Sequence, residues 1–139
     1  LSTSALLDLS WCESVIKRFG EKVAVGLDVT GRTLAARGDS QEVGDLFDVL
    51  KQLDGFGSSR YVLTDVSRDG TLEGPNLDLI KSVCAETDRP VIASGGISQL
   101  SEIKSLRELT EIGVEGAIIG KALYAQNFTI GQALEVAAK

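Results

Sequence analysis

Four short apolar runs, each followed by polar and then amphipathic helical sequence, restrict the fold of this chain more than any other feature. The runs cover residues 23–29, 61–66, 90–93 and 114–119. They are nearly continuous in apolar residues, which is typical of parallel strands that are buried on both faces. Repeated strand–helix units of this kind predict either a doubly wound sheet or a (β/α)8 barrel.

The segments between the runs provide the predicted helices and loops. Ser10 is expected to cap a first helix that ends at Gly20, and Asp45 to cap a second that ends at Gly55 and Gly57. Later helices are predicted near residues 77–85, 103–109 and 130–136, with long loops over residues 30–44 and 67–76. A complete barrel needs roughly 250 residues. The 139 residues therefore amount to half a barrel, and we expect residues 1–139 to form one domain.

Charge and composition disfavour several classes of function. The chain has 14 Lys and Arg against 20 Asp and Glu, and its net charge of -6 disfavours binding to nucleic acid or acidic membranes. No apolar run approaches the roughly 18 residues of a membrane helix, and the first residues lack the basic region of a signal peptide. The isolated Cys12 and Cys84 favour reduced thiols in a cytoplasmic protein. Because the sequence has no His, mechanisms that need an imidazole as base or metal ligand are excluded.

Small or polar residues stand at the carboxyl end of each predicted strand. Asp28 ends the first strand, Thr64 and Asp65 end the second, and Gly120 and Lys121 follow the fourth. The third strand is followed by Ser94, Gly95 and Gly96. Ligands bind at this edge in parallel α/β folds. Each motif alone is equally compatible with an ordinary turn, but four motifs in equivalent places favour a binding site.

Two of these motifs are candidate phosphate sites, Ser94-Gly95-Gly96 and Gly120-Lys121. A phosphate needs close approach to backbone N–H groups, which favours residues without Cβ atoms, and it gains from a helix N-terminus that points at it. Barrels often build such a site after their last two strands. The two motifs occupy those positions here, so we predict that they bind one phosphate together.

The loop after the second strand carries Asp69, which is a candidate general acid over the mouth of a barrel. An ordinary Asp-Gly turn explains Asp69 equally well on composition alone. Asp28 is either functional or a structural hydrogen-bond partner. Asp65 belongs to the strand itself, which favours a structural role for it over one for Asp69. Arg37, in the first long loop, is either solvated or pairs with a carboxylate or phosphate. Trp11 is expected in the core or at an interface.

Three segments of the sequence, residues 61–80, 90–98 and 113–124, resemble the sugar-phosphate isomerases of histidine biosynthesis. The likeness is strongest to the actinobacterial members that also act in tryptophan biosynthesis. It covers essentially the whole chain but only the C-terminal half of the family's barrel, namely its fourth helix and last four strands. The resemblance implies a (β/α)8 TIM barrel, of which this chain is the C-terminal half-barrel with four parallel strand–helix units.

The resemblance also implies a reaction, an Amadori rearrangement that converts an aminoaldose to an aminoketose without a metal or organic cofactor. The implied substrate is a phosphorylated sugar, either phosphoribosylanthranilate or ProFAR, the formimino-linked aminoimidazole carboxamide ribonucleotide. Asp69 matches the family's acid, Asp28 an assisting carboxylate, and Thr64 a supporting hydroxyl. Arg37 matches a mobile-loop residue that engages the anthranilate carboxylate, and Gly70 and Thr71 are expected substrate contacts. The implied phosphate site consists of Ser94, Gly95, Gly96, Gly120 and Lys121.

Two departures from the family pattern change these expectations. The family's base is an Asp on its first strand, which this chain lacks, so the 139 residues do not hold the complete site. Second, Asp39 stands where the family has a Trp that stacks on the imidazole of ProFAR. The substitution predicts a preference for phosphoribosylanthranilate.

Two other functions compete with this interpretation. One is a non-catalytic, phosphate-binding half-barrel that self-associates. The other is the sister cyclase that makes imidazole glycerol phosphate, which is disfavoured because Leu72 replaces the Lys of the cyclase motif. Four open parallel strands leave two unpaired edges and an uncovered inner face. We therefore expect pairing with a missing N-terminal half-barrel or with a second copy.

Overall fold

The computed structural model describes residues 1–35 and 41–138, which form a mixed six-stranded sheet with helices packed on it. The strands are β1 (Ala24–Thr30), β2 (Thr33–Ala35), β3 (Glu42–Asp45), β4 (Arg60–Asp65), β5 (Val91–Ser94) and β6 (Val114–Ile118). The α-helices are α1 (Leu9–Phe19), α2 (Leu46–Phe56), α3 (Leu77–Glu86), α4 (Leu100–Arg107), α5 (Lys121–Tyr124) and α6 (Ile130–Ala138). Short 3₁₀ helices cover Thr3–Leu7, Gly20–Lys22 and Thr110–Ile112.

The four strands predicted from the apolar runs are parallel neighbours in the order in which the chain visits them. The sheet order is β3-β2-β1-β4-β5-β6, and the pairs β1–β4, β4–β5 and β5–β6 are parallel. A doubly wound sheet reverses its strand order at a switch point, and no reversal occurs between β1 and β6. With right-handed crossovers, this order carries successive helices onto the same face of the sheet. The prediction of an α/β fold with a parallel-strand sheet is confirmed.

The helices cover one face of the sheet, so the expectation that the strands are buried on both faces is wrong for the described residues. Side chains on the helix face are almost fully buried in one hydrophobic cluster: Val25, Leu27, Val29, Tyr61, Leu63, Val91 and Ala93. Their neighbours along the strands, such as Val62 and Ile92, are only half-buried on the opposite face. Apolar runs that look continuous in sequence therefore have two unequal faces.

Residues 30–44, predicted to be a loop, instead contain the antiparallel strands β2 and β3. Arg32 fastens the base of this hairpin, because its Nε lies 2.6 Å from Oδ2 of Asp45 and its carbonyl accepts from the Leu46 N–H at 2.9 Å. The guanidinium also lies 4.6 Å from the ring centre of Phe47. The two strands have three and four residues and include one fully buried side chain, Leu34. Tertiary contacts, not local hydrophobic periodicity, therefore form them.

The helix ends follow the sequence except at the first cap. Asp8, not Ser10, caps α1, since the Asp8 carboxylate accepts from the Trp11 N–H at 2.9 Å. A capping side chain reaches an amide two or three residues further on, and Ser10 already lies within the helix. Gly20 ends α1 at a φ of +53° as predicted, and Asp45 caps α2 as predicted. The second helix passes through Gly55 and stops at Gly57, and the single-turn α5 is an element that the sequence did not predict.

The two edges of the parallel sheet are not equivalent. At β1, the Leu1 nitrogen donates to the Ala24 carbonyl and the Gly26 N–H donates to the Leu1 carbonyl, both at 2.7 Å. The far end of β1 pairs with β2. The expectation of an unpaired edge at β1 is therefore wrong, because the hairpin and the first residue occupy it. At β6, no strand pairs with the outer edge within residues 1–35 and 41–138.

Candidate functional site

Three predicted site residues occupy one row across the carboxyl ends of the parallel strands. In this row Asp28 pairs with Thr64, Thr64 with Ser94, and Ser94 with Ile118. Because side chains alternate along each strand, these residues lie on the face opposite the helices. The structure thus brings Asp28, Thr64 and Ser94 to one edge of one face, as the strand-end argument predicted.

Thr3 holds the backbone of Asp28 in place and was missed by the sequence reasoning. Its hydroxyl accepts from the Asp28 N–H at 2.8 Å and donates to the Gly26 carbonyl at 2.9 Å. Thr3 is 1% exposed, although it lies in the short 3₁₀ helix at the start of the chain. Neither composition nor spacing marks Thr3 in the sequence, because Thr is equally common in ordinary turns.

Asp69 lies in a tight turn that starts at the last residue of β4. The N–H groups of Arg68 and Asp69 both donate to the Asp65 carbonyl at 3.1 Å. Thr71, an expected substrate contact, uses its hydroxyl inside the same loop, where it donates to the Arg68 carbonyl at 2.7 Å and accepts from the Glu73 N–H at 3.2 Å. The turn therefore determines the backbone position of Asp69, and the Thr71 hydroxyl serves the loop itself.

The Asp65 side chain is buried beneath this loop and bonded to both of its ends. Oδ1 accepts from the Ser67 N–H at 2.9 Å and the Ser67 hydroxyl at 2.6 Å, and Oδ2 accepts from Nδ2 of Asn76 at 2.7 Å. Burial raises the pKa of Asp65, but the hydrogen bonds from Asn76 and Ser67 outweigh it, so the pKa lies below its ordinary value. The interpretation of Asp65 as structural agrees with these contacts, whereas the role of Asn76 was missed.

Gly95 and Gly96 allow the Asp69 loop to lie directly on the turn after β5. A Cβ atom on Gly96 would lie 2.2 Å from the Gly74 carbonyl oxygen, and one on Gly95 would lie 3.2 Å from the Asp65 carbonyl oxygen. Both glycines have left-handed φ values, +94° and +80°. The Gly74 N–H also donates to the Gly96 carbonyl at 3.0 Å. The glycine pair thus has a packing role between two loops, in addition to any contact with a ligand.

A cavity of about 270 Å³ lies between the Asp69 loop and the turns that follow β5 and β6. Its lining contains seven of the predicted site residues: Asp69, Gly70, Ser94, Gly95, Gly96, Gly120 and Lys121. Three apolar side chains complete the lining: Leu72, Ile97 and Ile118. Pockets for whole small-molecule ligands usually span roughly 300–1,000 Å³. This cavity is therefore suited to one charged end of a larger ligand.

Among the described residues, Lys121 is the one basic side chain that lines this cavity, and it also contacts the Asp69 loop. Its Nζ donates to the Gly70 carbonyl at 2.7 Å. An ammonium group beside turns without Cβ atoms favours an anion, because both charge and backbone donors can approach it. The predicted residues around the cavity thus come from three segments of the chain, which follow β4, β5 and β6.

At the N-terminus of α4, two backbone N–H groups already donate to a side chain of the same helix. The Glu102 carboxylate accepts from the N–H groups of Ser98 and Gln99 at 2.7 and 3.0 Å, which completes a capping box. These amides already have a negatively charged partner. An anion in the cavity would therefore depend on the glycine turns and Lys121, not on this helix end.

Arg37, the predicted contact for a substrate carboxylate, lies outside the described residues, as does Asp39. Among the described residues nearby, Arg32 precedes β2 and bonds to Asp45 at the end of β3. The hydrogen bond from the Arg32 guanidinium holds the pKa of Asp45 below its ordinary value. The cap formed by Asp45 was predictable from the sequence, whereas its bond to Arg32 was not.

Among residues 1–35 and 41–138, no three His, Cys, Asp or Glu side chains are grouped so that they could hold a metal ion. In the same part of the chain, no helix is both long and apolar enough to cross a membrane.

A sequence profile of the family described as "Histidine biosynthesis protein" matches residues 1–129. The chain is 56% identical over 137 residues to a Bifidobacterium adolescentis protein named 1-(5-phosphoribosyl)-5-((5-phosphoribosylamino)methylideneamino) imidazole-4-carboxamide isomerase. It is 54% identical over 138 residues to a protein of the same name from Salinispora arenicola. It is 52% identical over 139 residues to the protein named phosphoribosyl isomerase A from Streptomyces avermitilis.

These alignments cover 99–100% of this chain but only 57% of each relative. The chain therefore spans a little over half the length of the curated relatives that it matches. Every residue of the strand-end row and of the cavity lies within the matched segment 1–129.

Proposed function

Because the chain belongs to the histidine biosynthesis protein family, we propose that it forms part of an aldose–ketose isomerase that acts on a phosphoribosyl amine. The observation that carries the proposal is the position of Asp69 in the wall of a glycine-lined cavity that also contains Lys121. Asp28 and Thr64 end neighbouring strands on the same edge of the sheet. A carboxyl group beside an anion site is the arrangement that a phosphorylated sugar requires for acid catalysis.

In the proposed reaction, Asp69 in its protonated form donates a proton to the ring oxygen of the ribose. The bond between that oxygen and the first sugar carbon breaks, while the lone pair of the amino nitrogen forms a Schiff base. A base then removes the proton from the second sugar carbon, and the enolamine relaxes to the ketone, with no net change of oxidation state. Asp28 assists as a second carboxylate and Thr64 supports it with its hydroxyl. The base belongs to a strand outside these 139 residues.

We further propose that the sheet is the C-terminal half of a (β/α)8 barrel. Parallel strands in chain order, with helices on one face, are what half of such a barrel requires. The half-buried second face and the strand edge at β6 are where the other half would pack. The length of the relatives supports an N-terminal half as the partner, since the chain covers 57% of them.

The cavity beneath Asp69 is the proposed phosphate site. Ser94, Gly95, Gly96 and Gly120 supply close backbone approach, and Lys121 supplies the positive charge. Gly70 lines the same cavity from the Asp69 loop. Phosphate at this position would hold the far end of the sugar and leave the ring oxygen within reach of the acid.

Two phosphoribosyl amines are candidate substrates. The Bifidobacterium and Salinispora relatives are named for the imidazole carboxamide substrate. A second candidate, phosphoribosylanthranilate, is favoured by Asp39, which offers no aromatic surface for an imidazole, and by Arg37, which can pair with a carboxylate. Steady-state kcat/KM values for both substrates in the complete enzyme decide between them. We expect Asp39→Trp to raise turnover of the imidazole substrate more than that of the anthranilate.

A cytoplasmic location fits this function. Both cysteines, Cys12 and Cys84, are free and buried, which favours a reducing compartment.

A non-catalytic half-barrel that self-associates is the alternative function, and exposed apolar surface is what its self-association would use. Large apolar side chains are exposed at both ends of the sheet, including Trp11 on α1 and Ile130 and Leu134 on α6. Exposed apolar surface of this kind usually marks an interface. Either a second copy or an N-terminal half could cover it.

One experiment separates the two functions. The chain is assayed for isomerase activity alone and after mixing with the N-terminal half of the Bifidobacterium relative, and its mass in solution is measured in both states. Activity in the mixture that is lost with Asp69→Asn supports the isomerase. A stable dimer that binds phosphate, but has no activity in either state, supports the alternative and refutes the proposal.

A further inference from the structure

We infer that Asp65 is a positioning residue whose carboxylate closes the Asp69 loop on itself and so determines where Asp69 lies over the cavity. The role of Asp69 as the acid rests on the proposed function, whereas the closure of the loop does not. Residues 67–76 leave β4 at one end and enter α3 at the other. Both ends bond to the same carboxylate, through Ser67 and Asn76.

Because Asp65 is buried, the loss of either hydrogen bond to its carboxylate is costly. The residue is 8% exposed, and each of its two carboxylate oxygens accepts from the loop. Hydrogen bonds to an ionised acceptor are stronger than neutral ones, and a buried donor that loses its partner carries a full desolvation cost. The lowered pKa of Asp65 agrees with a carboxylate that is stabilised by these donors.

The same residue also connects the loop to the rest of the site. Its carbonyl accepts a hydrogen bond from the Asp69 N–H at 3.1 Å, so the backbone of Asp69 is held directly against the end of β4. Asn76, which donates to the Asp65 carboxylate, uses its Oδ1 to cap α3 through the Leu79 N–H at 3.1 Å. The loop therefore has a fixed start on β4 and a fixed end on α3, and Asp69 lies between them.

The contacts between Asp65 and Asn76 predict how substitutions that convert one residue type into the other behave, singly and together. In Asp65→Asn, the new NH2 group must face either Ser67 or Asn76, each of which presents a donor. In Asn76→Asp, two carboxylates face each other. In the double variant Asp65→Asn/Asn76→Asp, the amide at position 65 can donate to the carboxylate at position 76, which can still accept from the Leu79 N–H. Asp78→Asn is the matched control, because it removes one carboxylate from the exposed first turn of α3.

The experiment measures kcat and KM of the complete enzyme and amide hydrogen exchange over residues 67–76 of this chain. Misplacement of a catalytic group costs up to about 100-fold in rate. We expect Asp65→Asn to lower kcat by about 10-fold or more, with KM changed by less than about threefold. Exchange in the loop should accelerate, the double variant should recover both measurements, and Asp78→Asn should alter neither.

The outcomes separate this inference from the proposed function. An inactive wild type refutes the isomerase but leaves the exchange measurement to test the closure of the loop. An unchanged kcat together with unchanged loop exchange in a folded Asp65→Asn variant overturns the inference. If the single variants do not fold, the double variant decides. Amide hydrogen exchange over residues 67–76 that is as slow in the double variant as in the wild type supports the pairing of positions 65 and 76. Rapid exchange refutes the pairing.

Discussion

At the amino end of β4, the Tyr61 hydroxyl donates to Oδ1 of Asp54 at 2.6 Å, and the Thr87 hydroxyl donates to the same oxygen at 3.0 Å. At the carboxyl end of the same strand, the Asp65 carboxylate accepts from Ser67 and Asn76, at the two ends of the loop that follows it. The first network joins α2, β4 and the segment after α3, so it ties three parts of the scaffold together. The second orders a single loop beside a cavity. In barrel folds the amino end of the strands serves stability and the carboxyl end serves chemistry.

The largest effect is expected on kcat, from a substitution in the loop at the carboxyl end of β4. Asp69→Asn in the complete enzyme should lower kcat by about 10²–10⁴-fold, because general acid catalysis contributes that much. Thermal stability and phosphate affinity should remain close to those of the wild type. Steady-state assays and phosphate titration check this. A loss of less than about tenfold would exclude Asp69 from the acid role.

The next largest effect concerns the packing of the two loops at the same end. Gly96→Ala places a Cβ 2.2 Å from the Gly74 carbonyl oxygen, so the backbone must shift. We expect a loss of about 3 kcal/mol of unfolding free energy, from overpacking and left-handed strain together. Weaker phosphate binding should accompany it, because the wall of the cavity moves.

Gly70→Ala is the matched control for that substitution. Gly70 has a φ of +71°, but a Cβ there meets nothing within 4 Å. Its cost should be only the conformational strain of about 1 kcal/mol. Urea unfolding of both variants measures the difference, and equal losses would show that loop packing is not the reason for a glycine at position 96.

The smaller contribution of the amino end is tested by Tyr61→Phe. The change keeps a fully buried ring and removes only the hydroxyl that bonds to Asp54. Loss of a hydrogen bond to a charged group should cost about 2 kcal/mol. Tyr124→Phe, at a residue that is 90% exposed, should cost nothing. Urea unfolding measures both, while kcat and exchange in residues 67–76 should remain unchanged. A fall in kcat would break the division of roles between the two ends of β4.

Patterns that act within a few residues were predictable from the sequence. The four parallel strands follow from apolar runs, and Asp45 and Gly20 mark helix ends because caps depend on local backbone geometry. The residues of the cavity wall could be identified because the carboxyl ends of parallel strands must meet at one edge.

Features that depend on pairs distant in sequence were not predictable. The hairpin of β2 and β3 depends on Arg32 reaching Asp45, and its short strands carry no periodic signal. Thr3 contacts Asp28 across 25 positions, and Asn76 contacts Asp65 across 11. Polar contacts of this kind leave no mark in composition or spacing, since Thr and Asn are equally common in ordinary turns and caps.

The smallest effect is expected from pH, and it falls on Asp65. The folded-state pKa of Asp65 lies below its ordinary value, despite burial, because of the bonds from Asn76 and Ser67. A carboxyl group with a depressed pKa contributes stability above the pKa of the unfolded chain, about 3.9, and loses that contribution as the pH falls through the folded-state value. Asp65→Asn has no carboxyl group to protonate at this position. The difference in unfolding free energy between wild type and Asp65→Asn should therefore be constant near neutral pH and shrink below about pH 4.

Urea unfolding of the two proteins between about pH 6 and pH 3 tests this dependence. Hydrogen exchange assigns it to a region, because residues 67–76 should lose protection in the wild type before the amides around Tyr61 do. Asp78→Asn, a substitution in the exposed first turn of α3, is the matched surface control in the same measurements. A difference between wild type and Asp65→Asn that does not shrink in acid would mean that the buried carboxylate draws no net stability from its bonds to the loop. The bonds of Asp65 at the carboxyl end of β4 would then order the loop without adding to the free energy of unfolding.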